Sequence, residues 1–276
     1  MARKINRHSN VLPHLFLSLG ALIMIGPFLW EVLTAFKTFG ESIQVPPVMI
    51  PAHFNLDNFR EVFQSLPFTS LFINTVLMTA ARTTGQVFFC SLAGYAFARL
   101  NFPGRNFIFM LFLAVMMVPG QMFLIPQYQL MQSWGLLNTI PALFLPGMFS
   151  AFGTFLMRQF FMQLPKELEE AARLDGANTW QIYWKIMLPL AAPGMLALGL
   201  LVAIWSWNDL LWPLVVNTDP EKMPLSAGLA NLKGEHLTDY PVLMAGSLMA
   251  SAPLIIAFLL FQKQLIQGIA TTGGKG

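Results

Sequence analysis

Charged side chains are scarce in this sequence. Only 11% of the 276 residues are Asp, Glu, Lys or Arg, and 55% are hydrophobic. Soluble domains carry about 25% charged residues. A chain of this length must still cover its surface, so a larger core cannot account for the deficit, and the composition predicts a protein surrounded by a lipid bilayer. The net charge of +3 is too small to indicate nucleic-acid binding.

Cysteine and histidine are also rare. The single cysteine, Cys90, lies in an apolar run and has no partner in the chain for a disulfide, so it does not indicate a redox compartment. The four histidines are scattered and form no metal-binding pattern: His8, His14, His53 and His236.

Motifs for nucleotide binding and catalysis are absent. A phosphate-binding loop needs Gly-x-x-x-x-Gly-Lys followed by Ser or Thr, but at the end of segment 268–276 Gly276 stands where the metal-binding hydroxyl belongs. There is no His-Glu-x-x-His motif and no plausible catalytic triad. We therefore expect no enzyme activity, no metal and no cofactor on this chain.

Long apolar stretches are abundant. About 20 apolar residues in a helix cross the hydrocarbon core of a bilayer. Interior prolines such as Pro119, Pro126 and Pro146 predict kinks or interrupted ends, which membrane helices tolerate. The first stretch follows basic residues like a signal peptide, but it is long and no convincing cleavage site follows. Six stretches qualify: about Leu12–Phe36, Phe68–Ala98, Phe107–Gln127, Ile140–Phe161, Leu190–Val216 and Val242–Phe261.

The basic residues orient these spans. Cytoplasmic loops of membrane proteins are enriched in Lys and Arg. With six spans, 11 of the 16 basic residues lie on the side of the termini, four lie on the other side, and Arg82 lies within the second span. The sequence thus predicts an all-α, polytopic bundle of six transmembrane helices with both termini in the cytoplasm. We expect one transmembrane domain over 1–276, with core spans at about 68–266.

One long polar interruption, at about 162–189, lies between spans four and five. Pro165 suits the first turn of a helix, and Gly176 can take the left-handed conformation that ends one. Asn178 or Thr179 can cap the next helix, which ends near Pro189. The segment is predicted to form two short cytoplasmic helices joined by a turn at Gly176.

Two interpretations of this loop stay open on physical grounds. It can be a plain connector with an amphipathic surface helix. It can also dock a partner, because the small Ala171–Ala172 pair permits close backbone approach and Gly176 sets a sharp angle between two rigid helices.

Several motifs resemble one protein family. The loop resembles the "EAA" loop of ABC importer permeases. Over nearly its whole length, the chain resembles the smaller permease subunit of maltose-type carbohydrate importers. The motifs that carry it are Glu170–Ala171–Ala172 with Gly176, then Ile186 and Leu188–Pro189, Ala96–Phe97–Ala98–Arg99, Phe102–Pro103–Gly104–Arg105, Trp207–Asn208–Asp209 and Gly274–Lys275–Gly276.

The resemblance implies a mechanism and partners. The loop would form a coupling helix seated in a cleft of a cytoplasmic ATPase subunit, which would hold the ATP and Mg²⁺. Two ATPase copies, a second homologous permease and an extracytoplasmic sugar-binding protein would complete the importer in a prokaryotic inner membrane. The implied coupling residues are Glu170, Ala171, Ala172, Asp175 and Gly176, and the tail residues that can also reach the ATPase are Gly274, Lys275 and Gly276.

Polar residues within the spans are candidates for the solute pathway, because intramembrane ionisable groups usually face a cavity. Asn74, Arg82 and Gln86 share one broad face of span two, where a structural hydrogen-bond role is the alternative. Trp207, Asn208 and Asp209 in span five combine an aromatic face with polar groups, as sugars require. The alternative for the tryptophans of this span is an interfacial belt.

Two further alternatives concern the function. A membrane-embedded enzyme would need clustered acid, base or metal groups, which the sequence does not offer. A permease for another solute, such as glycerol phosphate, would favour several basic residues along the pathway, whereas only Arg82 lies within a span. Outside the membrane, residues 55–66 predict an amphipathic helix on the outer face.

Overall fold

The structure is a computed structural model that describes residues 11–233 and 238–273. Regular secondary structure within these ranges is entirely helical, as predicted. The α-helices are α1 (Val11–Ala35), α2 (Phe39–Ser42), α3 (Asp57–Ser65), α4 (Phe68–Arg99), α5 (Arg105–Met116), α6 (Leu124–Ser133), α7 (Ile140–Phe144), α8 (Ala151–Gln163), α9 (Glu167–Leu174), α10 (Thr179–Ile182), α11 (Leu188–Leu190), α12 (Ala192–Trp207), α13 (Leu211–Val216), α14 (Leu225–Ala230) and α15 (Tyr240–Gly273).

Two helical stretches are long and apolar enough to cross a membrane unaided, Pro13–Ala35 and Tyr240–Leu260. The number among the described residues rises to six if each of four bent helix pairs counts as one span. This range includes the predicted six. The six-span topology with both termini in the cytoplasm stays a prediction.

Helix breaks distinguish the observed spans from the predicted ones. α4 is continuous over 32 residues and matches predicted span two within one residue. Predicted spans three and four are each divided: α5 and the segment Gly120–Ser133 meet at 99°, and Ile140–Gly147 and α8 meet at 48°. Pro119 lies in the first break, and Pro146 lies near the end of the segment Ile140–Gly147, just before the second. Proline cannot donate a helical hydrogen bond and so favours helix ends.

The chain divides into two compact units. The first comprises the described parts of 1–66 and 229–252. In it, Asn58 on α3 donates from Nδ2 to the carbonyl oxygens of Ala35 and Lys37, both at 2.8 Å. Val62 on the same helix is fully buried and Phe63 is 54% exposed. These contacts confirm the predicted amphipathic helix in this region.

The second unit comprises 67–228 and the described part of 253–276, and it contains the candidate site. Its core forms where α4 packs along α8 and α12. The interface between α4 and α8 is close at Gly94: a Cβ there would lie 2.7 Å from the Cβ of Met157 and 2.8 Å from the backbone nitrogen of Arg158. The single permease domain expected from the sequence stays a prediction.

Candidate functional site

The polar loop between α8 and α12 has the predicted local structure. α9 ends at Leu174, and Gly176 follows with φ +85°, in the left-handed region that favours glycine. Its N–H donates to the carbonyl oxygen of Arg173 at 3.0 Å. Asn178 caps α10 in a capping box with Gln181. These contacts confirm the prediction of two helices separated by a glycine turn.

The two faces of α9 differ in exposure. Glu169 and Ala172 are buried one helical turn apart, at 7% and 8% exposure. Glu170 and Ala171 are exposed. Leu174, at the end of the helix, is 89% exposed. This face of α9 therefore carries an exposed leucine beside the exposed Glu170 and Ala171.

Arg99, the last residue of α4, attaches α9 to α4 and α8. Its guanidinium donates from Nη2 to the carbonyl oxygen of Phe161 at 2.5 Å and to that of Leu164. Its Nε lies 3.3 Å from Oε1 of Glu169 on α9. One side chain therefore joins the end of α4, the end of α8 and the buried face of α9. The sequence marks Arg99 as part of the motif Ala96–Phe97–Ala98–Arg99 but gives no signal of its contact with Glu169.

The environment of Glu169 opposes its ionisation. Burial raises the pKa of this carboxyl above its ordinary value of 4.5, while the positive charges of Arg99, Arg173 and Lys166 act in the lowering direction without offsetting it. The folded chain therefore favours protonated Glu169 more than the unfolded chain does. This contribution to stability is present at low pH and is lost as the pH rises above 4.5 and through the raised pKa.

We expect the substitution Glu169→Gln to remove this pH-dependent contribution to stability. Gln stays neutral, so the variant should gain stability relative to the unmodified chain as the pH rises from about 4 to 7, because the unmodified chain must then hold a buried charge. Unfolding midpoints of both proteins at several pH values measure the difference. Glu170→Gln, on the exposed face of the same helix, is the control. A difference that stays constant across the range would contradict this account.

A second contact joins the loop to α4 through Tyr183. This residue lies in the π-helical turn Tyr183–Met187 that follows α10. Its hydroxyl lies 2.8 Å from the hydroxyl of Ser91, and both side chains are buried. The ring also packs against Tyr95 at 5.2 Å between centroids. Both halves of the loop are thus attached to the membrane helices by polar contacts.

The predicted polar face of α4 makes a series of contacts to other segments. Asn74 donates from Nδ2 to the carbonyl oxygens of Glu221 at 2.8 Å and Met223 at 2.9 Å. Gln86 donates from Nε2 to the carbonyl oxygen of Gly147 at 2.7 Å. These two contacts have the geometry of structural hydrogen bonds between segments, the alternative considered for this face.

Arg82 pairs with an acid from another span. Its Nη1 lies 2.7 Å from Oδ2 of Asp209, and the two side chains are 23% and 20% exposed. The guanidinium also lies against Gly147, where even an added Cβ would overlap it. The hydroxyl of Ser226 donates to the backbone carbonyl of Asp209 at 2.5 Å. The structure thus joins two predicted pathway residues that are 127 positions apart.

The other residues predicted for span five lie close to this pair. Asn208 is exposed, and its Nδ2 donates to the carbonyl oxygen of Ile204 at 2.8 Å. Trp207 meets Phe72 edge to face at 6.1 Å between ring centroids. The predicted tail contacts at Gly274, Lys275 and Gly276 lie outside the described residues. Among the residues that are described, no group of three or more His, Cys, Asp and Glu side chains is placed to hold a metal ion.

Interrupted helices with polar residues at the breaks, within a helical membrane bundle, are features of transport proteins. Residues 86–271 match the family described as the inner membrane component of binding-protein-dependent transport systems. The chain belongs to this family.

Individual relatives agree with this assignment. The arabinooligosaccharides transport system permease protein AraQ of Halalkalibacterium halodurans is 37% identical, over 93% of each chain. The sn-glycerol-3-phosphate transport system permease protein UgpE of Yersinia pestis is 31% identical, over 95% of this chain and 96% of the relative. A subunit in the crystal structure of a bacterial ABC transporter that imports the acidic polysaccharide alginate superposes with a TM-score of 0.82 at 25% identity, over 95% and 98% of the chains.

Proposed function

We propose that this chain forms half of the translocation pathway of an ATP-driven importer for a sugar or oligosaccharide, and that α9 and the turn at Gly176 dock a cytoplasmic ATPase subunit. The chain itself holds no nucleotide. Two ATPase copies, a second homologous permease and an extracytoplasmic binding protein complete the assembly. It is a multi-pass protein of a prokaryotic inner membrane.

The two-sided character of α9 carries this proposal. Glu169 and Ala172 on its inner face are buried, whereas Leu174 is 89% exposed. A helix that only connected two spans would gain nothing from presenting leucine to water. A helix that docks into a cleft needs an apolar residue free on the outside and a rigid attachment on the inside, and α9 has both.

The attachments explain how a movement at α9 would reach the spans. Arg99 bonds the end of α8 and pairs with Glu169, so α9 cannot shift without displacing the ends of α4 and α8. On the other side of the turn, the hydroxyl contact of Tyr183 with Ser91 attaches the second half of the loop to α4. Closure of the ATPase pair would therefore move the membrane helices as rigid bodies, which is how packed elements transmit small displacements.

The solute class is supported by the relatives and by the charges of the spans. Similarity to a permease named for arabinooligosaccharides supports a carbohydrate, and similarity to a subunit of an importer of the acidic polysaccharide alginate supports a carbohydrate that carries charge. Similarity to a permease named for sn-glycerol 3-phosphate supports the alternative of a phosphorylated solute. Arg82 on α4 is neutralised by Asp209 and is not left to bind an anion, so we favour an uncharged sugar.

Leu174→Asp tests the docking surface. The side chain is almost fully exposed, so the substitution should leave the fold intact while placing a charge in an apolar contact. Central apolar contacts in interfaces contribute about 2 kcal/mol or more, so we expect ATPase binding to fall roughly tenfold or more. The measurement is the amount of ATPase subunit that co-purifies with the tagged chain.

Val45→Asp is the matched control. Val45 is 90% exposed but lies in the segment between α2 and α3, far along the chain from α9. We expect this variant to co-purify with as much ATPase as the unmodified chain. Equal losses of co-purified ATPase in the two variants, or no loss in either, would contradict the assignment of α9 as the docking surface.

A further inference from the structure

Charge is balanced along the middle of the second unit's helices. Residues 68–98, 106–157 and 186–218 together contain one basic side chain, Arg82, and one acidic side chain, Asp209. These two form the ion pair with its 2.7 Å contact. An unpaired charge within a membrane is costly, so each member of the pair stabilises the other. Arg158 on α8 lies just outside these ranges, so the charge balance applies to the residues within them.

The pair also lies where the helices are interrupted. Asp209 falls in the gap between α12, which ends at Trp207, and α13, which begins at Leu211. Gly147, against which Arg82 lies, ends the helical segment that precedes α8. Transporters commonly place solute sites near the bilayer midplane, at discontinuous helices of this kind.

Both side chains of the pair are partly exposed. About a fifth of each side chain is exposed, 23% for Arg82 and 20% for Asp209. The residues that follow Arg82 on α4, Thr83 and Thr84, line a cavity of about 750 Å³ between α4 and α12. Arg82 and Asp209 do not themselves line this cavity; the exposed part of each side chain is the surface that a solute beside α4 would meet.

We propose that the Arg82–Asp209 pair determines the charge selectivity of the pathway. This inference rests on the proposed permease function and specifies its solute class: the pair presents a neutral dipole to the solute and admits uncharged sugars without favouring either sign of charge. Removing the carboxylate exposes the cation and favours anions. Removing the guanidinium has the reverse effect, and removing both charges restores balance.

The test measures the electrostatic potential beside the pair in the assembled importer. Asn208→Cys places a thiol next to Asp209, on an exposed residue. The probes are two methanethiosulfonate reagents of similar size, one carrying a sulfonate and one a trimethylammonium group. Their labelling rates on this chain are followed by mass shift, in the resting and the ATP-bound complex. Cys90 is fully buried, and the unmodified chain, which keeps Asn208, provides the blank.

The expected result is a change in the ratio of the two rates. With Asp209→Asn the ratio of anionic to cationic labelling should rise about tenfold, because one unit charge at several ångströms attracts one reagent and repels the other. With Arg82→Gln it should fall, and with both substitutions it should return to the value of the Asn208→Cys parent. The exchanged pair Arg82→Asp with Asp209→Arg keeps the charges balanced for folding but places the cation beside the introduced thiol, so the ratio should again rise.

Two results would overturn the proposal. An unchanged ratio in the exchanged pair would show that these charges do not set the local potential. Absence of labelling in both nucleotide states would show that no solute reaches the pair. A negative labelling result is distinguishable from failure of the docking proposal. The docking proposal is tested by a different readout, ATPase co-purification with the Leu174→Asp variant.

Discussion

Replacing Gly176 with proline is expected to abolish solute uptake and binding-protein-stimulated ATP hydrolysis while leaving the chain inserted in the membrane. Proline fixes φ near −65°, whereas Gly176 has φ +85°. It also removes the N–H that donates to the carbonyl oxygen of Arg173. The angle between α9 and α10 would change, and the docking helix would no longer point at the ATPase. Uptake in membrane vesicles should fall to background.

Gly135→Pro is a closely matched control for this substitution. Gly135 has φ +68°, and its N–H donates to the carbonyl oxygen of Gln132 at 3.0 Å, as that of Gly176 does to Arg173. A Cβ at either glycine meets no atom within 4 Å. Both changes carry the same backbone cost, so only the location differs. Normal uptake by an inserted Gly176→Pro variant, or equal loss in both variants, would contradict a specific coupling role for the turn.

Among the substitutions proposed for this chain, Gly94→Val is expected to lower the free energy of unfolding most. The added Cβ would lie 2.8 Å from the backbone nitrogen of Arg158, and a backbone atom cannot rotate away as a side chain can. α4 and α8 must therefore separate along their closest approach. Overpacking of this kind costs about 2–3 kcal/mol, and more where backbone atoms are involved. The unfolding midpoint of the purified protein in detergent measures the loss.

Gly20→Val on α1 controls for the change of residue type. A Cβ at Gly20 has no atom within 4 Å, so valine there should leave the midpoint nearly unchanged. Both positions lie within long helices, and both substitutions introduce the same β-branched side chain. A Gly94→Val protein as stable as Gly20→Val would mean that α4 and α8 are not in close contact.

Local features were predictable because their causes lie within a few residues. The start of α9 after Pro165, the left-handed Gly176 and the cap at Asn178 each depend on the intrinsic geometry of one residue and its hydrogen bonds to near neighbours. The limits of α4 followed from the length of one apolar run. Breaks at Pro119 and Pro146 followed from the missing proline N–H.

Features that depend on how helices pack were not predictable in the same way. The predicted continuous span Leu190–Val216 missed the break between α12 and α13 at 208–210, although Asn208, Asp209 and Pro213 favour a helix end there. Arg82 and Asp209 were each identified as pathway candidates, but nothing in the sequence indicated that they pair. The contact of Arg99 with Glu169 likewise depends on the convergence of α4, α8 and α9.

The exposure of Leu174 is a further case. Leucine at the end of an amphipathic helix is ordinarily assigned to the buried face. Here Glu169 and Ala172 take that face, and Leu174 is left outside. The rotation of α9 about its axis, which the contact of Arg99 with Glu169 helps to set, decides which of its residues are exposed. The coupling residues that we propose therefore include Leu174, which the motif does not contain.

The most direct test of the central claim is photo-crosslinking from position 174 in the assembled importer. A photoreactive amino acid in place of Leu174 should form its main adduct with the ATP-hydrolysing subunit, and the same group in place of Val45 should form none with it. Adducts from position 174 that contain only lipid or the second permease, with no ATPase product, would contradict the assignment of α9 as the docking helix.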